Sequence, residues 1–147
     1  AELLTIYIAD EIIKQIKLHN YKYSDFAIIF PMKPESTLAR IKEIFKNKGI
    51  KFDHIEKRED KLEFEINKES CKILNIYLVK GYEFKVVFLL NLEKYSSLPA
   101  DETLKRNNVY VGFTRAMNDL QILAIKQPIE LKYISEIKLI LNEMNAY

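Results

Sequence analysis

Phe26-Ala27-Ile28-Ile29-Phe30 is an unbroken apolar run closed by Pro31. A run with no polar alternation suits a strand covered on both faces, and the proline falls where ladder hydrogen bonding must stop. Beyond it, the stretch Glu35–Lys48 repeats Leu38, Ile41, Ile44 and Phe45 at three- and four-residue intervals and is followed by Gly49. That spacing predicts an amphipathic helix whose last turn ends in a left-handed glycine. Residues 50–55 then read as a second strand. Upstream, residues 2–18 carry Leu3, Ile6, Tyr7, Ile12, Ile13 and Ile16 with charged residues between them, which predicts another amphipathic helix.

Downstream the same alternation continues. Residues 72–77 and 85–91 read as strands separated by the Lys80-Gly81 turn, and residues 102–111 as a helix leading to Gly112. A strand is expected over 120–125. A closing helix is expected over 130–144, where Leu131, Ile134, Ile137 and Leu141 recur at helical spacing. The charged segment 56–70, with Leu62, Phe64 and Ile66 alternating, suits a half-exposed strand near a sheet edge. Strands alternating with helices predict an α/β fold, a mostly parallel sheet with helices on both faces.

Composition narrows the class. With 147 residues, 48% of them hydrophobic, the chain can fill one core, and a single domain over 1–147 is expected. A net charge of +2 from 23 basic and 21 acidic residues excludes a dedicated polyanion binder, so any nucleic-acid contact is a local patch. Cys71 is alone, which excludes an intrachain disulfide and a cysteine metal cluster and favours a reducing, cytoplasmic setting. His19 and His54 form no ligand pair and read as surface residues; no metal site is expected. No apolar run approaches the roughly 20 residues of a membrane span, and the opening Ala-Glu-Leu-Leu-Thr has no signal-peptide pattern. A first residue that is not methionine fits a piece of a longer protein.

The three glycines, Gly49, Gly81 and Gly112, form no G-x-x-x-x-G-K-[ST] loop, so the chain is not expected to hydrolyse a nucleotide alone. Two turns draw notice because each joins a glycine and a charged side chain to a strand end, where ligands sit in open α/β sheets. In the first, the Lys80-Gly81 backbone can approach a phosphate and Glu83 can accept bonds from a ribose; the plain alternative is a solvated Lys-Glu surface pair. In the second, Gly112-Phe113-Thr114-Arg115-Ala116, Thr114 is placed to cap a short helical turn starting at Arg115. An arginine so held offers a fixed fork of donors to the charge of a transferring phosphoryl group. The alternative is a structural arginine paired with Glu83 or Asp119. The basic positions Lys42, Lys46, Lys48 and Lys51 read as a solvated face, and Cys71 as packed.

Taken together, in this order and about thirty residues apart, the turns resemble the two C-terminal motifs of UvrD/Rep-like superfamily one helicases. The family pattern T-I-H-x-x-K-G-L-E-F-x-x-V reads here from Asn75 through Lys80-Gly81-Tyr82-Glu83-Phe84 to Val87, and Y-V-x-x-T-R-A reads Tyr110 to Ala116. The likeness extends from about Phe26 to Ile125, with Lys48-Gly49-Ile50-Lys51-Phe52 similar to the family's G-I-x-[YF] strand. It implies a RecA-like domain forming half of an ATP cleft, with an N-terminal RecA-like partner domain supplying the phosphate loop and Mg2+, and single-stranded DNA or RNA as the track. Arg115 would reach the γ-phosphate; Glu83, Gly81, Lys80 and Thr114 would lie at the nucleotide; Asn75 and Tyr77 would meet nucleic acid. Asn75 and Tyr77 replace the family's threonine and histidine. Phe30-Pro31 stands where an arginine is common, with Lys33 the nearest substitute, and the family's large accessory insertion is missing between Phe52 and Cys71. Two readings therefore remain, a motor half and, favoured by Pro31, a non-catalytic docking module; a free-standing regulatory α/β domain is the third.

Overall fold

The computed structural model describes residues 2–56, 66, 68–92 and 101–125. Its chain order is α1 (Glu2–His19), a 3-10 turn (Tyr23–Asp25), β1 (Phe26–Phe30), α2 (Glu35–Lys48), β2 (Phe52–Ile55) and β3 (Cys71–Asn75). A second 3-10 turn (Ile76–Leu78), β4 (Phe84–Leu90), α3 (Glu102–Phe113) and β5 (Ala116–Leu123) follow. The strands form one five-stranded sheet in the order β2-β3-β1-β4-β5. Every pairing is parallel, with Ile28 beside both Ile73 and Phe88.

The apolar run that opens the sequence is the centre of this sheet. Phe26, Ile28 and Phe30 face one core with Ile73, Val86 and Phe88, closed by Ile8 and Ile12 of α1 and Leu38, Ile41 and Phe45 of α2. Ala27 and Ile29 face the other with Leu74, Val87 and Leu89, closed by Val109 and Phe113 of α3. Both faces of β1 are covered, which is why no polar residue alternates along it. At about 25 cal/mol per Å2 of apolar surface removed from water, these two cores are the main favourable contribution to folding.

Several boundaries differ from the sequence expectation, each for a local reason. The strand expected over 50–55 begins only at Phe52, because Gly49 (φ 72°) and Ile50 close α2: Gly49 N–H donates to Lys46 O at 3.3 Å and Ile50 N–H to Phe45 O at 2.9 Å. These paired bonds satisfy carbonyls that the helix end would leave open. The strand expected over 72–77 stops at Asn75, whose Oδ1 accepts from Tyr77 N–H at 2.9 Å and starts the 3-10 turn. The strand expected over 120–125 runs instead from Ala116 to Leu123, with a bulge where Phe84 and Val86 pair with Ala116 and Asp119. Its polar start is stabilised from α1 and its exit, by Gln15 donating to Asp119 at 2.9 Å and Asn118 donating to Tyr21 Oη at 2.9 Å. Ile66 packs on the α3-side core, whereas Leu62, Phe64 and the helix expected over 130–144 lie outside the described residues. No helix among the described residues is long and apolar enough to cross a membrane.

Among the described residues, Cys71, Lys72 and Lys105 are buried ionisable groups. Cys71 is buried, and loss of water pushes its thiol up to about 12, so it packs and does not react. Lys72 is 0% exposed, with Nζ donating to Lys68 O and Ser70 Oγ at 2.7 Å each and lying 3.9 Å from Asp53. Ser70 in turn donates to Asp53, so this buried ammonium is bonded on several sides.

Candidate nucleotide and nucleic-acid site

Because all strands run the same way, the sheet has a carboxyl edge and an amino edge, and the residues singled out by sequence divide between them. Asn75 and Tyr77 follow the end of β3 at the carboxyl edge. Lys80, Gly81 and Glu83 precede β4, and Thr114 and Arg115 precede β5, so these five gather at the amino edge. Phe84 N–H donates to Arg115 O at 2.8 Å, which joins the two distant turns directly. Residues 76–83 thus cross the α3 face of the sheet from one edge to the other with only a single 3-10 turn. A parallel crossover normally takes a dozen or more residues and a helix; here Ile76, Leu78 and Val79 are buried under α3 and hold the segment flat.

At the lower end of this crossover, Tyr82 N–H donates to Val79 O at 2.9 Å, closing a turn in which Gly81 has φ 91°. A side chain at that φ is strained although space is open around it. Lys80, Gly81 and Glu83 are exposed, and among the described residues Lys80 and Glu83 form no ion pair. Opposite them, the Arg115 guanidinium folds along its own helix end. Its Nε donates to Val111 O at 3.1 Å and its Nη2 to Thr114 Oγ1 at 3.0 Å. Among the described residues it meets no carboxylate: Asp119 accepts from Gln15 and Gln121 instead.

Thr114 does not start a helical turn as expected from sequence. It ends α3, its N–H donating to Tyr110 O at 3.1 Å and its hydroxyl lying 3.2 Å from Tyr110 O and 3.1 Å from Val111 O. Gly112, read in the sequence as a turn glycine, is buried inside α3; a Cβ there would come 2.7 Å from Ile76 Cδ1. The glycine lets α3 sit directly on the crossover.

No protein-family model and no curated protein matches the sequence. Among solved structures, the chain is similar to the C-terminal domain of a possible DNA helicase from Lactobacillus plantarum WCFS1, with 22% identity and a TM-score of 0.50 over 79% of this chain. It is also similar to the C-terminal part of the Fun30 ATPase domain, with 12% identity and a TM-score of 0.51 over 95% of this chain. The fold is RecA-like. The chain spans 65% and 52% of the lengths of those two neighbours.

In this RecA-like domain the carboxyl edge carries features that sequence reading missed. Asn75 Nδ2 lies 3.5 Å from Pro31 O, and Asn91, at φ 63°, donates from Nδ2 to Met32 O at 2.9 Å. Two asparagines, at the ends of the strands that flank β1 on either side, therefore clamp the loop after it. Lys33 lies on this loop, paired with Glu56 at 2.9 Å and Glu35 at 3.7 Å, at the opposite edge from Arg115. The Glu56 hydrogen bond raises its pKa. Tyr77 remains 53% exposed, with its hydroxyl 3.4 Å from Asn108 Nδ2 on α3.

His54 is a correction to the sequence reading: its side chain is only 10% exposed and sits 3.7 Å from Glu56. Burial, followed by Lys42, lowers its pKa below the ordinary 6.5, against opposing contributions from Glu56 and Glu35. A folded pKa below the unfolded value means that the unfolded chain binds the extra proton, so stability falls as pH drops through 6.5 and below. Urea unfolding at pH 7 and pH 5 is expected to show a smaller pH-dependent loss in His54→Gln than in the native chain. An equal loss in both excludes His54 as the titrating group.

Proposed function

We propose that this chain is the second motor domain of an ATP-dependent helicase or translocase of the UvrD/Rep type. In that role it completes an ATP cleft with an N-terminal RecA-like partner domain and contacts single-stranded DNA, with RNA the other candidate track, in the cytoplasm. The observation that carries the reading is the Phe84–Arg115 backbone bond, which sets Lys80, Gly81, Glu83 and Arg115 on one edge. ATP is the substrate, with Mg2+ and the phosphate loop belonging to the partner domain.

The residues present fit that chemistry. Two guanidinium nitrogens of Arg115 are fixed by the helix end, and among the described residues no acceptor meets Nη1, which leaves its N–H donors for a γ-phosphate. The exposed Glu83 carboxylate can accept from ribose hydroxyls, and the Lys80 ammonium can approach phosphate oxygen beside the Gly81 turn. At the other edge, Tyr77 offers an aromatic face to a base. The crossover through residues 76–83 ties that face to the nucleotide edge in one short, buried segment. This is a physical route by which closure of the cleft moves the contact with the strand.

A non-catalytic docking module is the second reading, favoured by Pro31 in place of an arginine. The two separate in the protein that joins this chain to its partner domain, by hydrolysis measured against increasing single-stranded DNA. Stacking on an aromatic contributes roughly 1 to 3 kcal/mol per base, so Tyr77→Ala should raise the half-maximal DNA concentration about tenfold. Maximal turnover should change little. Absence of hydrolysis at every DNA concentration supports the docking module.

A further inference from the structure

We propose that Thr114 is a positioning residue, acting on the nucleotide through the Arg115 guanidinium and not by touching the nucleotide itself. The inference rests on the motor reading and deepens it. A threonine hydroxyl has one proton and two acceptor lone pairs. In α3 the proton is directed at the last helix carbonyls, 3.1 Å from Val111 O and 3.2 Å from Tyr110 O. With the proton engaged there, a lone pair faces outward and accepts from Arg115 Nη2 at 3.0 Å. The same Val111 carbonyl accepts from Arg115 Nε at 3.1 Å.

The arginine is thereby held at four places. Its N–H reaches Gly112 O at 3.4 Å, its carbonyl accepts from Phe84 N–H at 2.8 Å, and two side-chain nitrogens are tied to the helix end. What is left to move is small, and among the described residues Nη1 is the guanidinium nitrogen that meets no acceptor. A flexible arginine would have to be ordered anew at each turnover; this one is ordered beforehand. Only the hydroxyl supplies both the donor to the helix and the acceptor to the guanidinium. Valine has the same branched shape and can do neither, whereas serine can do both.

The test uses the protein that joins this domain to its ATP-binding partner, with saturating single-stranded DNA. Thr114→Val is expected to lower kcat roughly 10- to 100-fold, the scale of a misplaced catalytic group, with the KM for ATP within about twofold. Thr114→Ser is expected to restore most of the rate. In an Arg115→Ala background, Thr114→Val is expected to lower the residual rate no further. If Arg115→Ala abolishes hydrolysis while Thr114→Val is as active as the native protein, the positioning role is overturned and the motor reading stands. A Thr114→Val loss that persists at the same factor without Arg115 also overturns it, because the hydroxyl then acts on the fold alone. A protein that hydrolyses no ATP, or ignores Arg115→Ala, overturns both.

Discussion

Arg115→Ala is expected to lower ATP turnover by roughly 10³ to 10⁵, the worth of an arginine finger, while leaving the fold intact. The size follows from what the side chain is asked to do. Charge spreads over the phosphoryl oxygens at the transition state, and little covalent chemistry is left for the protein, so a preordered cation is a large share of the catalysis. Its stability cost is small by comparison. The substitution removes two hydrogen bonds to Val111 O and Thr114 Oγ1, each contributing about 1 kcal/mol net, and leaves the Phe84–Arg115 backbone bond in place. Arg115→Lys is expected to recover only part of the loss, since an ammonium keeps the charge but cannot make the fixed fork. Steady-state hydrolysis and a thermal melt on the same preparations decide it: a normal melt with turnover within a few-fold of native contradicts the role.

Gly112→Val is expected to have the largest effect on stability, about 3 kcal/mol, at the upper end of what overpacking a core costs. A Cβ at this position meets Ile76 Cδ1 at 2.7 Å and Leu89 Cδ1 at 3.5 Å, and Ile76 is itself only 2% exposed. Neither side chain has a free direction. Gly112→Ala is milder, because alanine recovers about 1 kcal/mol of helix propensity against the crowding. Ile76→Val removes the offending Cδ1, so in that background Gly112→Ala should cost about 1 kcal/mol less than in the native chain. Urea titration of the four proteins measures this coupling. Additive effects would mean that α3 does not rest on the crossover through this contact.

Much of the fold was legible because the decisive signals are local. The apolar run from Phe26 to Phe30 announced a strand covered on both faces, and Gly49 marked the end of α2 in the left-handed conformation found there. The Lys80-Gly81 turn was also legible, since a glycine between two β-rich runs marks a turn, and β4 starts just beyond it at Phe84. Other features depend on partners far along the chain. Gly112 looked like a break because glycine usually is one, and only Ile76, packed from the crossover, gives it another reason to be there. Val109 and Phe113, four residues apart, continue the helical spacing through it and were the available hint. Thr114 can cap either end of a helix, so its side chain could be assigned only once α3 was seen to stop there. The polar start of β5 hid its strand character, since Gln15 and Tyr21 satisfy Asp119 and Asn118 from outside the strand. That the two candidate contacts lie at opposite edges follows from topology, which local sequence does not carry.

The most direct measurement is ATP turnover by a protein that joins this chain to the proposed N-terminal partner domain, with and without single-stranded DNA. Turnover that rises severalfold with DNA, and is absent from this chain alone, is the result expected of a second motor domain. No hydrolysis by the joined protein, or a rate that DNA leaves unchanged, would contradict it.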